Sequence, residues 1–310
     1  MREEGLQFKT LFTGQHTDLV EVESDFSIEI SKEGSNRLDT IIQGLLNLPD
    51  TIFDGANYVL VQGDTTSAMA MALSSFNRKI DVIHLEAGLR TYDRENPFPE
   101  ETNRQIISRL ASIHLCPTEE NKLNLTKEGI EDGIYVVGNT GLDNISGYKE
   151  KCKYGNKILV TLHRRENHEK IAEWFRVLED LACENNQYEF ILPIHPNPNV
   201  INHRDILKKV KVVEPLKRND LLEVLTESSL VITDSGGLQE ECSFFNKKCL
   251  VCRKVTERPE SVGKTSFLAG DPESLKVLFY LHIQKVGVSS DCPFGKGDAS
   301  NKIVQIFKSL

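Results

Sequence analysis

Short apolar runs alternate with segments of helical length from one end of the chain to the other. Runs of β type fall at Phe8–Phe12, Tyr58–Val61, Val82–Leu85, Ile113–Cys116 and Ile134–Val137. A second series follows at Ile158–Thr161, Tyr188–Pro193, Val210–Val213, Leu230–Thr233 and Lys248–Val251. Helical segments fill the gaps, among them Arg37–Leu48, Ser67–Phe76, Glu101–Ala111 and Leu221–Thr226. Thr118 stands where it can cap the helix opening at Glu119. This alternation predicts parallel α/β sheets with right-handed crossovers. Two series predict two doubly wound, Rossmann-like domains facing a cleft.

The first domain is expected over residues 1–145 and the second over 156–297, with the polar, charged stretch Ser146–Asn156 between them. The final segment, 298–310, spaces Ile303, Ile306, Phe307 and Leu310 as a helix does. It is expected to pack back on the first domain. At the other end, Met1–Gly5 reads as a helix tail closed by a glycine. A doubly wound domain instead opens on a strand, and that strand is normally central.

Composition narrows the function classes. The chain has 310 residues, 39% hydrophobic and 27% charged, values ordinary for a globular protein of two domains. A net charge of −9 argues against a broad nucleic-acid surface. No apolar run approaches a membrane span, and the residues after Met1 do not read as a secretory signal. Seven scattered cysteines without a framework suggest reduced thiols and a cytoplasmic setting. Cys249 and Cys252 form a lone CxxC, and zinc needs a second pair.

The chemistry gathers at predicted strand ends, where open parallel sheets bind ligands. Tyr58–Val61 runs into Asp64, Val82–Leu85 into Glu86, and Glu100 follows on the next loop. Three carboxylates converging on one site are costly unless the site uses or counters their charge. In the second series, Thr233-Asp-Ser235-Gly236-Gly237 turns from a strand into a helix. Backbone N–H groups at such a turn bind phosphate, and the glycines admit a close approach. Glu241, further into the helix, can accept ribose hydroxyls. A plain tight turn before a capped helix reads the same way. His163, with Arg164 and Arg165, can serve a departing phosphate. His195, on a proline-stiffened loop, can touch ligand or merely cap. Thr256-Glu257-Arg258-Pro259-Glu260 is a second stiff, charged loop, suited to support the phosphate or sugar site. Metal is not favoured, because the histidines form neither HxH nor HExxH. No GxGxxG turn marks a tightly held dinucleotide.

Gly63-Asp64-Thr65-Thr66, His84-Leu-Glu86-Ala-Gly-Leu-Arg90-Thr91, Pro99-Glu100-Glu101, His163-Arg164-Arg165-Glu166, Asp234-Ser235-Gly236-Gly237 and Thr256-Glu257-Arg258-Pro259-Glu260 occur in order. Together they resemble the non-hydrolysing UDP-N-acetylglucosamine 2-epimerases of bacteria and archaea, over nearly the whole chain. The resemblance implies a glycosyltransferase-B-like fold with nucleotide in the cleft. It implies interconversion of UDP-GlcNAc and UDP-ManNAc without NAD or metal, by anti elimination of UDP to 2-acetamidoglucal and re-addition. The family's acid/base carboxylates fall on Asp64, Glu86 and Glu100, and its catalytic histidine on His163. Its UDP-binding serine, glycine turn and ribose glutamate match Ser235, Gly236, Gly237 and Glu241. Arg90 and Arg258 are candidate substrate-side residues, as phosphate or structural partners, and His195 is a further substrate-side candidate. The family is commonly dimeric, which implies a homodimer, and its product feeds polysaccharide synthesis.

Three departures stand beside the resemblance. The family opens with a strand ending in Gly-Thr-Arg-Pro-Glu, and Met1 falls where its first helix is already running. The full gene product is therefore expected to begin roughly thirty residues earlier, the length of one strand, loop and helix. A regulatory pocket that the family lines partly with Gln-His-Arg matches Gln15, His16 and Thr17, without the arginine. Gly295-Lys-Gly-Asp298 exchanges the charges of the usual tail. The alternatives are a 2-epimerase of a diacetamido-uronic acid derivative, a glycosyltransferase of the same architecture, and a catalytically impaired UDP-sugar-binding protein.

Overall fold

The computed structural model describes residues 4–13, 23–28, 37–284 and 291–310. The chain divides into two compact units, Met1–Val137 with Ser300–Leu310, and Gly138–Ala299. The division falls ahead of the polar stretch 146–156 at which the sequence suggests it. Burial is the reason. Leu142 and Ile145, in a run of 3-10 turns over Thr140–Lys151, sit in the second unit's core beside Phe244 and Phe294.

In the first unit, β1 (Leu11–Phe12) and β2 (Phe26–Ser27) make a small parallel pair, shorter than the strand expected over Phe8–Phe12. The chain continues through α1 (Arg37–Leu46), β3 (Tyr58–Gln62), α2 (Thr66–Asn77), β4 (Asp81–Leu85), α3 (Glu100–Leu110), β5 (Ile113–Cys116), α4 (Glu119–Lys127) and β6 (Ile134–Val136). The sheet order β3-β4-β5-β6 is wholly parallel. Alternate side chains of a strand go to opposite faces. Val82 of β4 therefore joins Val61, Ala68, Ala72 and Ile107, while Ile83 and Leu85 join Ile113 and Leu115 on the other side. The Thr65 hydroxyl caps α2 by accepting from the Ala68 amide at 3.2 Å. Thr118 caps α4 in a reciprocal pair with Asn121, where the sequence places that cap.

The second unit runs β7 (Lys157–Thr161), α5 (Ile171–Glu184), β8 (Glu189–Pro193), α6 (Pro198–Ile201), β9 (Lys211–Val213), α7 (Arg218–Glu227), β10 (Ser228–Thr233), α8 (Gly236–Phe244), β11 (Lys248–Val251), β12 (Ser266–Leu268) and α9 (Pro272–His282). Its parallel sheet has the order β12-β11-β10-β7-β8-β9. Ile158, Val160, Leu230 and Ile232 pack on one face with Trp174, Phe175, Phe190 and Phe279. Leu159, Val231, Cys249 and Val251 pack on the other with Leu222, Leu238 and Phe244. Burial on both faces explains why these strands read as unbroken apolar runs. It also parts the CxxC pair, because Cys249 and Cys252 belong to cores on opposite faces. Both units are Rossmann-like, and the α/β reading of the sequence holds.

The last helix, α10 (Ala299–Ser309), places Ile303, Ile306 and Phe307 against Ile83, Leu85, Ile113 and Leu115 of the first unit. Among the described residues no helix is long and apolar enough to cross a membrane.

The order of the second sheet positions its chemistry. From β7 the chain moves outward through β8 and β9, then returns to β10 on the other side and moves out through β11 and β12. The carboxyl ends of β7 and β10 are thus a topological switch point, where loops part and leave a crevice.

Candidate functional site

The first unit holds the three carboxylates. Gln62 pairs with Leu85 in the β3–β4 register, so Asp64 and Glu86 leave the same sheet edge. The Gly63 amide donates to the Leu85 carbonyl at 2.9 Å. The Gly63 carbonyl is 2.8 Å from Nε2 of His84. Burial drives the His84 pKa down to about 3, so the ring is neutral and donates that bond. Asp64 is then clamped from α3. Arg104 Nε and Nη2 reach its Oδ2 at 2.9 and 2.6 Å, and Asn103 Nδ2 donates to its carbonyl at 2.9 Å. Arg104 is buried and also meets the fully buried Glu101 at 3.2 Å. Glu101 accepts the Thr91 and Tyr92 amides at 3.0 and 3.2 Å, which ties down the loop after β4.

Glu86 adopts a left-handed backbone, φ 66°, a costly state for a residue with a Cβ. Gln62 Nε2 holds its Oε1 at 2.6 Å. Glu100 opens α3, where the helix dipole favours an anion. It stands one turn before Arg104, on the same face of the helix. Its Oε2 is buried and has no hydrogen-bond partner. Asp64 and Glu86 thus leave one sheet edge, and Glu100 opens the helix whose Arg104 and Asn103 hold Asp64.

Arg90 does not join them as a ligand group. Its Nε and Nη2 bind Glu128 at 2.7 and 2.9 Å, Nη1 binds the Leu89 carbonyl at 2.7 Å, and Nη2 binds Ser108 Oγ at 2.8 Å. This buried guanidinium braces the loop after β4 against α3 and the end of α4. Of the phosphate and structural partnerships that the sequence leaves open for Arg90, these contacts are of the structural kind. Gln15 and His16 lie outside the described residues.

The second unit builds its own cluster at the switch point. His163 follows β7 and Asp234 follows β10. Asp234 is fully buried. Its Oδ2 accepts the His163 and Arg164 amides at 2.9 and 2.8 Å and Asn167 Nδ2 at 3.1 Å. His163 Nδ1 lies 3.5 Å from Asp234 Oδ1. The His163 ring stacks on His195, centroids 5.6 Å apart. His195 Nδ1 accepts the Asn197 amide at 3.1 Å. Burial, then the neighbouring His163 and His168, hold the His195 pKa below its ordinary value.

Ser235 is the N-cap of α8, yet its side chain makes no capping bond. The first amides of a helix have no intrahelical partner, so Gly236 and Gly237 present theirs at the positive end of the dipole. Arg258 lies over this turn. A Cβ at Gly236 would stand 2.7 Å from its Nη1 and 2.8 Å from its Cζ, so only glycine admits the guanidinium here. Glu240 accepts Arg258 Nε at 2.7 Å, and Glu257 meets Nη1. Glu241 points one oxygen at Arg218 Nη2, 2.7 Å away. Its other oxygen is buried without a partner. Burial raises the Glu241 pKa, and Arg218 opposes that only in part.

Asp234 lies inside the Asp234-Ser235-Gly236-Gly237 motif but has no role legible from sequence, and Arg104 lies just beyond Pro99-Glu100-Glu101. The signals were the acid directly before the Ser-Gly-Gly turn and the arginine four residues after Glu100.

A family model described as UDP-N-acetylglucosamine 2-epimerase matches residues 1–308. The UDP-N-acetylglucosamine 2-epimerase of Campylobacter jejuni is 35% identical, over 97% of this chain and 90% of its own length. The UDP-GlcNAc 2-epimerase of Neisseria meningitidis, solved bound to UDP-GlcNAc, superposes with a TM-score of 0.84 at 33% identity, over 94% of this chain and 87% of that one. The enzyme of Methanocaldococcus jannaschii, solved with UDP-GlcNAc and UDP, gives 0.81 at 30% identity, over 100% and 94%. Two Rossmann-like units with these matches place the fold in the glycosyltransferase-B-like class.

Proposed function

The chain belongs to the UDP-N-acetylglucosamine 2-epimerase family, and from that premise we propose that it interconverts UDP-GlcNAc and UDP-ManNAc by elimination and re-addition of UDP. A carboxylate of the first unit takes the proton from carbon 2. The C–H electrons form the carbon 1–carbon 2 double bond, and the bond from carbon 1 to the diphosphate oxygen breaks with its electron pair going to UDP. Protonation of 2-acetamidoglucal on the opposite face, with return of the diphosphate oxygen to carbon 1, inverts carbon 2.

The buried, partnerless Oε2 of Glu100 is the observation that carries this reading. An unengaged carboxylate oxygen is what proton transfer at carbon needs. Asp64, steadied by Arg104, and Glu86, steadied by Gln62, supply the other acid/base groups. The open start of α8 with Ser235, Gly236 and Gly237 suits the diphosphate, and the Arg258 guanidinium, paired with Glu240 and Glu257, lies over that turn. The unpaired oxygen of Glu241 suits a ribose hydroxyl. His163 stands beside the departing phosphate, with His195 stacked on it. The free cysteines, four of them buried, suit a reducing, cytoplasmic setting.

The test is product analysis by chromatography. UDP-GlcNAc should yield UDP-ManNAc, and UDP-ManNAc should yield UDP-GlcNAc, to the same final ratio. A chain that binds UDP but leaves both sugars unchanged would overturn the proposal.

A further inference from the structure

Asp234 has more carboxylate than its local structural task requires. Three N–H groups converge on Oδ2 alone, and that oxygen by itself ties the turn after β7 to the end of β10. The other oxygen, Oδ1, is buried and accepts no hydrogen bond. The polar atom it faces is Nδ1 of His163, 3.5 Å away. The residue is held from other directions too. His168 Nε2 is 3.0 Å from the His163 carbonyl, and the His195 ring stacks on the imidazole at an interplanar angle of 18°. With Nδ1 turned to a buried carboxylate and the side chain 40% exposed, Nε2 is the nitrogen left for a ligand.

We propose that Asp234 is a positioning residue that keeps a proton on His163 Nδ1, so that Nε2 serves the departing diphosphate; the inference rests on the epimerase reading for the identity of that ligand. When the bond from carbon 1 breaks, the β-phosphate gains negative charge. With Nδ1 protonated, Nε2 can donate only from the imidazolium, so the ring acts doubly protonated: Nε2–H donates to that oxygen, or passes it the proton, leaves a neutral Nδ1–H ring, and recovers the proton on re-addition. Asp234 accepts from Nδ1–H throughout, and its negative charge stabilises the imidazolium. Loose hydrogen bonds in a ligand-free site commonly tighten when the ligand is bound, so 3.5 Å is a fitting resting distance.

The experiment is nitrogen-15 NMR of the full chain with labelled histidine in the presence of UDP, the His163 signals being assigned by their loss in His163→Ala. The expected result is a proton on Nδ1 in the wild-type protein. In Asp234→Asn the three amide donors keep the oxygen, so the new NH2 faces Nδ1 and drives the proton to Nε2. Turnover of Asp234→Asn should fall by about 100-fold or more, with KM changed less than about threefold. The same substitution in a His163→Ala background should cost nothing further. A role limited to holding the turn would leave the tautomer unchanged and give the same loss in both backgrounds, and that result overturns the proposal. If Asp234→Asn fails to fold, the wild-type spectrum decides, since an unprotonated Nδ1 in the UDP complex is equally fatal. The spectrum reads the pairing whether or not the chain turns over UDP-GlcNAc, so failure here is distinct from failure of the epimerase reading.

Discussion

In the first unit the site carboxylates lean on groups of the protein itself, Arg104 for Asp64 and Gln62 for Glu86. In the second, the proposed reading gives the leading amides of α8 and Nε2 of His163 to the diphosphate. On that reading one unit supplies proton-handling groups and restrains them, and the other binds the charged part of the substrate. The contrast follows from topology. The β3-β4-β5-β6 sheet steps in one direction and lines its acids along one edge, whereas the order β12-β11-β10-β7-β8-β9 reverses direction and opens a crevice between β7 and β10.

The comparison breaks most visibly at Glu100. Glu100→Gln should lower turnover by about 1,000-fold or more, while UDP affinity, a property of the second unit, stays within about twofold by calorimetry. A large loss of UDP binding would mean that the two halves do not divide the labour this way.

Arg104 tests the restraint of charge. Arg104→Met leaves buried Glu101 and half-buried Asp64 without their cation, and should cost about 3–5 kcal/mol in urea unfolding. A loss below about 1 kcal/mol would show that the network is not needed to hold the acids.

Acid sharpens the contrast further. His84 and His114 are buried in the first unit, and burial lowers their pKa values from the ordinary 6.5 to about 3 and about 4. Above pH 6.5 both rings are neutral whether the chain is folded or not, and their contribution is fully present. As pH falls below 6.5 the unfolded chain takes up protons that the folded one refuses. Stability should then drop, by up to about 1.4 kcal/mol per pH unit for each ring. Urea midpoints between pH 7 and pH 5 measure this. A flat profile would contradict it, and replacing either histidine by glutamine should flatten the slope.

The smallest effect is expected at the turn. Gly236→Ala drives a methyl group into Arg258 and should weaken UDP binding about tenfold, or about 1.4 kcal/mol. Turnover at saturating substrate should change less. Unchanged UDP affinity would remove Arg258 and the glycine from the diphosphate site.

Much of the fold is legible in the sequence because both faces of each sheet are buried. Ile113–Cys116 and Lys248–Val251 are strands from end to end as read. Ser266–Leu268 escapes notice because a three-residue edge strand is too short to show a period. The run Thr140–Lys151 escapes as well, since successive 3-10 turns follow neither the helical nor the strand repeat and bury only Leu142 and Ile145. Asp64, Glu86 and the glycine turn stand out because each follows an apolar run, and Glu100 because it opens the helical segment after the next loop. Arg90 stays open in the sequence because an arginine beside a motif reads alike whether it faces ligand or Glu128. The role of Asp234 is hidden because it depends on which of two oxygens the surrounding amides occupy, and only geometry decides that.

The most direct test of the central claim is to incubate the protein with UDP-GlcNAc in heavy water and follow carbon 2 of the sugar by NMR. The account predicts UDP-ManNAc carrying deuterium at carbon 2, with label also entering the recovered UDP-GlcNAc. Formation of UDP-ManNAc that keeps its original hydrogen at carbon 2 would contradict it.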